Sequence, residues 1–572
     1  MRFFTYWLLL LPLPLPVLGQ GLSVHLDFGL EYRNRQLRID EVRYANTRQE
    51  KFSVTRADYL VSDVSLVSTG GLLHSLPGSI GFIPTTGGVM TLPNVPPDRY
   101  RALTFFIGPD VDANHSDPAQ YDPTHPLHPT LNNLHWDWDG GYIFLALEGH
   151  WRTMEQTIPS GYAYHFARDE NRIQVTLPLY LHLTTETKIE IALDPSRILQ
   201  SLSFGEDGAT THSAPGDQVS EVIKKNFPHA FRIASIGPWS DPPPTQRPLP
   251  IDFPQDASPL DLAIPAQIPR PLLPTDNPLT KERFALGKRL FHDPLLSRTN
   301  TISCSSCHLE AVGFTDLRRF SPGVDGKHPN RHSMPLFNLA WKSKFFWDGR
   351  APSLREQVLQ PIEDPLEMDE TLPNVIRKVE EDEQYPDLFR AAFASGAVTA
   401  ENISLALENF LLAQTSLDSR FDRALRGEGE LTASEERGFQ LFFQESEPRL
   451  NQRGADCFHC HGGALFTNHG FHNTGMVPTE DMGLYEATRL DSDRFKFSTP
   501  SLRNVELTPP YMHDGRFQTL EEVISHYNGQ PHPSPTLDPN IAKHNEGLGL
   551  STQDQADLVA FLKTLTDPRF SQ

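Results

Sequence analysis

Residues 304–308 are Cys-Ser-Ser-Cys-His, and residues 457–461 are Cys-Phe-His-Cys-His. On a helix, side chains three and four positions apart lie on one face, so each motif presents two thiols and an imidazole together. Such thiols form two thioether bonds to a porphyrin, and the histidine reaches its iron. The two motifs use all four cysteines of the chain. The sequence therefore predicts two covalently bound haem c groups, attached through Cys304, Cys307, Cys457 and Cys460 and ligated by His308 and His461.

A zinc site or a redox-active dithiol is the alternative for such cysteine pairs. Zinc would leave both histidines without a role, and an exported dithiol rarely comes as two identical motifs. Haem attachment accounts for every residue of both motifs.

The length and charge of the chain restrict its organisation and its partners. With 572 residues it exceeds the size of one hydrophobic core, which predicts two or three domains. A net charge of -22 argues against a nucleic-acid partner and against an anionic membrane surface, since both need clustered basic residues.

The N-terminal residues 1–19 have the pattern of a removed secretory signal peptide. A positive charge precedes a short apolar run, which ends at small residues suited to cleavage. An uncleaved anchor is the alternative, but Pro12, Pro14 and Pro16 shorten any helix below the length that spans a bilayer. We expect a periplasmic protein with no membrane span after cleavage.

The remaining chain divides into three regions by pattern. Residues 20–240 alternate apolar and polar positions, which predicts an all-β antiparallel sandwich. Residues 241–278 are rich in proline and predict an extended, semi-rigid linker. Residues 279–572 are predicted to be all-α, with two cytochrome-like lobes around the two motifs. The predicted helices are Lys281–Phe291, Leu354–Gln360, Ala400–Ala413, Ser434–Phe443, Leu520–Tyr527 and Thr552–Leu565.

Residues 276–568 resemble the bacterial dihaem cytochrome c peroxidase and MauG family. The resemblance is carried, in order, by Asn277-Pro-Leu-Thr, Leu286-Gly-Lys-Arg-Leu-Phe, the first haem motif, Phe346-Trp-Asp-Gly-Arg-Ala-Pro-Ser-Leu, Glu367-Met368, the second haem motif and Pro500-Ser-Leu-Arg-Asn. It implies that His308 serves a haem that reacts with hydrogen peroxide. It also implies that His461 serves a second haem, which stores or relays an oxidising equivalent.

The same resemblance implies catalytic residues. Glu367 matches the family's distal carboxylate, which moves a proton between the two oxygens of bound peroxide. Gln357 and Pro361 match positions of the distal pocket. Trp347 matches the tryptophan between the haems, whose electron-rich ring carries a hole. Taken from the residues alone, Glu367 would more often be a solvated loop acid and Trp347 plain core.

The far axial ligand of the second haem separates the two branches of this family. Peroxidases have methionine fourteen residues after the histidine of Pro-Tyr-x-His, whereas MauG has tyrosine there. In this chain that histidine is His513, and Tyr527 stands at the ligand position. An anionic tyrosinate stabilises oxidised iron, which implies a high-valent state. Met512 and His526 are the competing assignments.

The family also implies a calcium ion between the haems, bound partly by the backbone carbonyls of Thr508 and Pro510. The family's Arg-Asn pair is Arg331-His332 here, which removes one oxygen ligand. His328 and His332 lie in a loop that in some members supplies a distal histidine. We expect both to be solvent-exposed loop residues.

Residues 24–195 resemble the MbnP-like copper-binding domain. The resemblance is carried by Ala57-Asp-Tyr-Leu-Val-Ser-Asp-Val-Ser-Leu, Leu92-Pro-Asn-Val-Pro, Tyr100-Arg-Ala-Leu-Thr-Phe-Phe-Ile-Gly, Trp136-Asp-Trp138 with Gly141-Tyr-Ile-Phe-Leu-Ala-Leu-Glu-Gly, and Tyr164-His-Phe. In that family a MauG-like partner, MbnH, converts a tryptophan to kynurenine, and the product helps to bind copper. The chain therefore looks like the two partners fused, with Trp136 or Trp138 as the modified residue.

Copper binding in this domain would need ligands that indole lacks. Indole has no free lone pair, whereas kynurenine offers an aryl amine and a ketone. The candidate imidazole ligands are His25, His135, His165 and His182, with His115, His125 and His128 as weaker candidates in a loop. Spacing does not choose among them, and each is otherwise an ordinary surface or core histidine. The two tryptophans are otherwise ordinary sandwich core.

These patterns predict a peroxide-dependent dihaem oxidoreductase that oxidises a tryptophan in its own copper-binding domain to kynurenine and serves copper homeostasis. Two other functions stay open. One is a periplasmic cytochrome c peroxidase that takes electrons from a small electron-transfer protein. The other is a copper carrier whose haems set the valence of the metal. Tyr527 favours the first function over the peroxidase.

Overall fold

The computed structural model describes residues 21–76, 78–136, 140–240, 251–446 and 453–570. The expected signal peptide, Trp138 and the first part of the proline-rich segment lie outside these residues. Among the helices of the described residues, none has the length and apolar character that a bilayer span requires.

Residues 22–238 form the predicted β-sandwich, which consists of a five-stranded and an eleven-stranded sheet. The strands of the smaller sheet are, in spatial order, Phe231–Pro238, Thr187–Leu193, Leu22–Tyr32 and Arg35–Gln36, with Gly88–Val95 also paired to Leu22–Tyr32. The main path of the larger sheet is Ile173–His182, Arg99–Ile107, Arg56–Ser68, Gly141–Arg152, Ser160–Ala167 and Thr210–Thr211. Its side branches are Tyr44–Ala45, Lys51–Phe52, Leu73–Ser75, Ile80–Ile83 and His135–Trp136. The short helices of this domain are Val111–Asn114, Pro129–Asn132, Pro195–Ile198 and Gln218–Asn226.

The sheets differ from the prediction in one respect, because they are not purely antiparallel. Leu22–Tyr32 pairs in parallel with Thr187–Leu193, and Ser160–Ala167 pairs in parallel with Thr210–Thr211. Parallel pairing needs a long connection, and the chain between the first two strands builds most of the other sheet. Alternation of side chains alone does not reveal such a crossover.

Trp136 lies outside the core of the sandwich. That core includes Tyr59 and Val61. Leu60 lies between them in sequence and points to the opposite face of the strand. It packs with Trp136 and Tyr142 in a separate hydrophobic cluster. The strand Gly141–Arg152 is buried along nearly its whole length, because both of its faces are covered. Trp136 therefore belongs to the outer face of the large sheet.

The C-terminal part is helical and has two hydrophobic cores, one around each haem motif. The helices of the first lobe are Lys281–His292, Cys304–Cys307, Leu354–Gln357, Gln360–Glu363, Leu372–Glu381, Tyr385–Ala392 and Ala400–Leu412. The helices of the second lobe are Arg420–Leu425, Ala433–Phe443, Phe458–His461, Tyr485–Thr488, Leu520–Asn528, Pro539–Ala542 and Thr552–Lys563. The predicted helices are present, but the one expected at Leu354–Gln360 breaks where Pro361 begins a new turn.

The two lobes use the same helix crossing. A Cβ atom on Gly287 would lie 1.9 Å from the carbonyl oxygen of Ala406, and one on Gly438 would lie 2.0 Å from that of Asp557. In each lobe a glycine therefore lets the first long helix contact the backbone of the last one. This close crossing confirms the prediction of two similar lobes.

The described part of the proline-rich segment, residues 251–278, has neither helix nor strand, as predicted, but it is packed against the first lobe. Ile268 is buried, the Trp341 indole N–H donates to the carbonyl of Pro269 at 2.7 Å, and the Arg283 guanidinium donates to the carbonyl of Ile251 at 2.6 Å. This part of the expected linker is therefore a component of the haem domain, because its apolar side chains find a surface to cover.

The sandwich contacts the second lobe directly. His150, on the strand Gly141–Arg152, has its Nε2 atom 2.6 Å from the carbonyl oxygen of Leu537. The Asn540 side-chain amide donates to the Glu148 carboxylate at 3.3 Å. The large sheet of the N-terminal domain therefore lies against the part of the chain that carries the second haem motif.

Candidate haem sites and an adjoining histidine cluster

The two motif histidines are oriented in the same way. The Nδ1 atom of His308 lies 2.9 Å from the carbonyl oxygen of Phe314, and that of His461 lies 3.1 Å from the carbonyl oxygen of Phe466. A carbonyl acceptor keeps the proton on Nδ1, so Nε2 is the atom that can ligate iron. Burial lowers the pKa of both imidazoles, that of His461 to about 4, which favours the neutral form that a metal needs.

The second motif opens on a large cavity. Cys457, Cys460 and His461 line one side of it, and Trp347, Met512, His513 and Tyr527 also border it. His513 is buried, yet neither of its ring nitrogens has a hydrogen-bond partner among the described residues. A buried ring N–H of this kind is suited to donate to a bound group. The thiols, the imidazole and the orphaned donor thus fit a haem.

The competing axial ligands all border this cavity, namely Tyr527, Met512 and His526. The Nε2 atom of His526 lies 3.0 Å from the carbonyl oxygen of Thr474, so that nitrogen is already engaged. Burial raises the pKa of Tyr527, so its phenol would ionise only beside a strong positive charge such as ferric iron. The assignment of Tyr527 stays a prediction, with Met512 and, through its Nδ1 atom, His526 as its rivals.

Glu367 lies at the first motif. Burial raises the pKa of the Cys304 and Cys307 thiols. The negative charge of Glu367 raises both values further, because this carboxylate lies close to the two thiols. Burial and the neighbouring Asp364 raise the pKa of Glu367 itself to about 7. A carboxyl group with a pKa near neutrality is suited to accept and return a proton.

The other predicted pocket residues stand on the two short helices before Glu367. Gln357 ends the first of them, and Pro361 lies in the first turn of the second. The carbonyl oxygen of Pro361 accepts a hydrogen bond from the Met368 amide at 3.2 Å, which folds the Glu367 segment back onto that helix. Pro361 and Glu367 are therefore close in space, while the side chain of Gln357 has no hydrogen bond to another described residue.

Trp347 lies between the two lobes, as the resemblance implies. Its indole N–H donates to the carbonyl of His332 at 2.8 Å, and its ring borders the cavity of the second motif. His332 itself donates its backbone N–H to the carbonyl of His513 at 2.7 Å. The expectation that His332 is solvent-exposed is wrong, since these interlobe contacts bury it, whereas His328 is exposed as expected.

Thr508 and Pro510, the implied calcium residues, border the same interlobe cavity. Nearby, the Arg331 guanidinium forms ion pairs with Asp348 at 2.6 Å and with Asp481 at 2.7 Å. These carboxylates are neutralised by arginine, and calcium binding stays a prediction.

Three histidines that are distant in sequence meet where the sandwich contacts the second lobe. His165 is on the strand Ser160–Ala167, His212 follows the short strand Thr210–Thr211, and His459 is inside the second haem motif. One ligand atom from each lies within 4.8 Å of the others. The Nδ1 atom of His165 is 3.0 Å from the Nε2 atom of His212. We call these three residues the histidine cluster.

Charged residues of both domains surround the histidine cluster. An oxygen of Glu148 lies 2.9 Å from the Nε2 atom of His165. An oxygen of Glu445 lies 3.0 Å from the Nε2 atom of His212 and 3.1 Å from that of His459. Glu445 also pairs with the ammonium group of Lys543. The cluster is therefore a buried polar site that the two domains build together.

Trp136 lies beside the histidine cluster. Its ring stacks on that of His212, with centroids 5.5 Å apart and planes inclined by 28°. It also lines a cavity together with His165, Trp341, Phe458 and His459. The indole thus borders a space whose opposite wall includes the second haem motif.

The structure brings only one of the four predicted copper ligands, His165, into the histidine cluster. His25 is on the small sheet, where its ring stacks on Trp239 at 3.8 Å and its Nδ1 contacts Thr91, so it is remote from the cluster. His182 is exposed at the end of its strand. His135 borders the cavity of Trp136 but lies outside the cluster. Of the weaker candidates, His115 is paired with Asp169 at 2.8 Å.

Sequence reasoning missed His212 and His459. His212 follows a two-residue strand and has no periodic pattern around it. His459 could have been found from helical geometry, because the residue two positions after Cys457 points away from the face that Cys457, Cys460 and His461 share. A side chain at that position points toward the part of the protein that packs on the outer side of the haem motif.

Fold and site together define a c-type cytochrome with two haem-binding lobes, joined to a β-sandwich. Residues 281–430 match the family model of di-haem cytochrome c peroxidase, and residues 22–214 match that of MbnP. The methylamine utilization protein MauG of Methylorubrum extorquens is 37% identical over 320 residues, which cover 54% of this chain and 86% of that protein.

Two further proteins are similar to this chain. The cytochrome c551 peroxidase of Pseudomonas aeruginosa is 31% identical over 300 residues, which cover 50% of this chain and 80% of that protein. The solved structure of a MauG-like protein associated with microbial copper homeostasis is 36% identical, covers 54% of this chain and 98% of its own, and superposes with a TM-score of 0.48. This chain belongs to the dihaem cytochrome c peroxidase and MauG family. It is a haem-dependent oxidoreductase with an MbnP-like N-terminal domain.

Proposed function

We propose that this protein uses hydrogen peroxide to oxidise Trp136 of its own N-terminal domain to kynurenine, and that the product helps to bind copper there. The observation that carries this proposal is the position of Trp136, which lines one cavity with Phe458 and His459 of the second haem motif. A substrate indole at this place needs no entry into a peroxide pocket. We also propose that the protein is exported to the periplasm, because residues 1–19 have the pattern of a signal peptide.

The reaction balances with peroxide as the only oxidant. Opening the indole ring to N-formylkynurenine removes four electrons and adds two oxygen atoms, so two molecules of hydrogen peroxide are consumed and two of water are released. Hydrolysis of the formyl group then releases formate and leaves kynurenine. Haems bound at the two motifs would supply the chemistry of peroxide reduction and of electron removal from the protein.

The chain's own residues would move protons and electrons. With a pKa of about 7, Glu367 exchanges a proton near neutral pH, as peroxide cleavage requires. The Trp347 indole N–H donates to the His332 carbonyl, and this acceptor stabilises positive charge on the ring. Trp347 is therefore suited to pass electrons between the lobes. Trp136 is 4% exposed, and the two oxygen atoms added to its ring would come from water that reaches the cavity it lines, while its four electrons reduce two molecules of peroxide.

The contact between the domains supports a reaction within one chain. The His150 ring meets the Leu537 carbonyl, and the Asn540 amide meets the Glu148 carboxylate. Substrate and enzyme are thus already docked, and no tether-driven encounter is needed. Such a fixed contact holds the tryptophan near the second haem motif more closely than a flexible linker would, because a linker only raises the effective concentration of one domain near the other.

Copper binding would follow from the same geometry. Ring opening replaces an N–H donor by an aryl amine and a ketone, both of which can ligate a metal. The new groups would appear next to His212, on which the ring of Trp136 is stacked, and near His165. Imidazole and amine nitrogens are ligands that suit copper.

The test uses protein that carries both haems. It is treated with small equivalents of peroxide and digested, and the peptide of residue 136 is examined for the mass of kynurenine and its near-ultraviolet absorbance. Glu367→Gln protein is the control, in which the tryptophan should survive. If Trp136 stays intact while a reduced small cytochrome supports peroxide turnover, the protein is a peroxidase and the proposal is wrong.

A further inference from the structure

We propose that His165, His212 and His459 together bind one copper ion at the boundary between the domains, so that the second haem motif supplies a ligand to the copper site of the N-terminal domain. This rests on the proposed function in assigning copper to this domain, but it does not require oxidation of Trp136.

The three imidazoles converge on one point. The Nδ1 atom of His165 lies 3.0 Å from the Nε2 atom of His212, and the Nε2 atoms of His212 and His459 share one oxygen of Glu445 at 3.0 and 3.1 Å. Metal–nitrogen bonds of about 2.0 Å place the nitrogens on one ion roughly 3 to 4 Å apart. The spacing within 4.8 Å needs only small side-chain movements to accommodate an ion.

The cluster has the supporting hydrogen bonds of a built metal site. The second ring nitrogen of His165 contacts the Glu148 carboxylate at 2.9 Å. Glu148 is held in turn by the Arg56 guanidinium at 3.2 Å and by the Asn540 amide at 3.3 Å. A carboxylate behind a histidine sets the ring orientation and leaves the other nitrogen for the metal. One of these supports, Asn540, comes from the haem domain.

The surrounding charge favours a cation. Glu148, Glu445 and Asp456 face the site, and Arg56 and Lys543 are the fixed positive groups that pair with them. Asp58 also pairs with Arg56, and His544 pairs with Asp456, so the carboxylates at the site outnumber its fixed cations. The shared oxygen of Glu445 is also available as a fourth ligand. Imidazole ligands suit copper as well as zinc, and the copper role proposed for the N-terminal domain selects copper here.

The position of His459 explains why only the complete chain builds the site. It belongs to the short helix Phe458–His461 and points away from the face that attaches the haem, toward the sandwich. Its ring centroid lies 5.1 Å from that of His165 and 5.6 Å from that of His212. An ion held by these three residues would therefore join the two domains directly beside Cys460.

The test titrates the haem-loaded full chain with copper(I) against a chromogenic chelator. We expect one tightly bound ion per chain, and His459→Gln should weaken its binding about 100-fold while both haems remain attached, since the middle positions of the motif make no bond to haem. His150→Leu is the control, because leucine cannot donate to the Leu537 carbonyl and so removes another interdomain hydrogen bond outside the cluster. It should bind copper as the wild type does.

The same titration of Trp136→Phe separates this inference from the proposed function. Copper binding that depends on His459 in Trp136→Phe supports the three-histidine site even if no kynurenine ever forms. Unchanged copper affinity in His459→Gln with two haems attached overturns the site, and so does failure of the wild type to bind copper. If His459→Gln loses its second haem, anomalous diffraction from copper-loaded wild-type crystals decides instead. A copper peak within bonding distance of the three rings supports the site, and a peak elsewhere overturns it.

Discussion

The imidazole rings of His165 and His459 lie with their centroids 5.1 Å apart, although one belongs to a strand of the sandwich and the other to the second haem motif. This contact places the MbnP-like domain against the segment that would attach the second haem. Trp136 lies in the same region, so the enzyme part and the proposed substrate part already touch in one chain.

Each cysteine pair should hold one haem independently. Replacing Cys457 and Cys460 with alanine is expected to leave one haem per chain, because Cys304 and Cys307 serve a separate lobe with its own core. Intact mass and the pyridine haemochrome spectrum measure the number of haems. The reciprocal double variant of the first motif is the matched comparison. A wild-type chain with a single haem would contradict the prediction.

Tyr527 should be the far ligand of the second haem. Tyr527→Phe is expected to change the low-spin haem spectrum, and Tyr527→Met to raise the reduction potential, because a thioether stabilises oxidised iron less than a phenolate does. Met512→Leu is the control, since Met512 borders the same cavity. A spectrum that changes in Met512→Leu and not in Tyr527→Phe would assign the ligand to Met512.

Glu367 should control the reaction with peroxide and its pH dependence. The carboxylate form accepts the proton of peroxide, and with a pKa of about 7 that form is lost as the pH falls below neutrality. The rate of reaction with peroxide should therefore decline on acidification. Glu367→Gln should lower it by roughly 10²- to 10⁴-fold and remove this pH dependence. Stopped-flow spectroscopy across pH 5 to 9 measures both effects, and an unaltered pH profile in the variant would exclude Glu367 as the proton carrier.

Trp136 should be the modified tryptophan rather than Trp138. Trp136→Phe is expected to abolish the kynurenine signal after peroxide treatment, because its ring occupies the cavity at the haem motif. Trp138→Phe is the matched variant and should leave the signal intact. Peptide mass spectrometry distinguishes the two, and kynurenine at position 138 in Trp136→Phe protein would show that the reaction is less selective than the geometry implies.

The buried ion pair between Arg503 and Asp422 should stabilise the second lobe. Its nitrogen–oxygen distances are 2.7 and 2.9 Å, and both side chains are nearly inaccessible to solvent. Asp422→Asn leaves a buried guanidinium without its counter-charge, which costs about 3 to 5 kcal/mol of unfolding free energy. Thermal unfolding of the haem-loaded protein measures the loss. Glu381→Gln, which breaks an exposed pair with Arg377, should change stability by less than about 0.5 kcal/mol.

The pH dependence of that pair follows from the direction of its pKa shift. Burial alone would raise the pKa of Asp422, but the hydrogen bonds and charge of Arg503 outweigh burial and lower it. A carboxyl group with a lowered folded-state pKa stabilises the fold above its unfolded-state pKa, and that stabilisation is lost as the pH falls through the folded-state value. The difference in stability between wild type and Asp422→Asn should therefore shrink on acidification.

The amino-acid sequence alone determined the two haem attachment motifs, the division into a β-rich and a helical part, and most of the helices. These features depend on contiguous patterns: a five-residue motif, a period of two or of about 3.6, and prolines that end regular structure. Glu367 and Trp347 were found through the resemblance to the dihaem cytochrome c peroxidase and MauG family, because each stands in a short block of sequence that matches that family. Such local signals survive without any knowledge of the fold.

Only the tertiary structure decided which histidines meet. Of the four histidines proposed as copper ligands from the sequence, only His165 joins the cluster, and its partners His212 and His459 come from a short strand end and from inside a haem motif. His25 and His182 lie away from this cluster, which the sequence could not tell, because an alternating strand pattern does not show which sheet or which edge a strand occupies. The contact between the domains likewise depends on how two separately folded surfaces fit together. That fit arises from burial and charge across distant segments, and no local pattern encodes it.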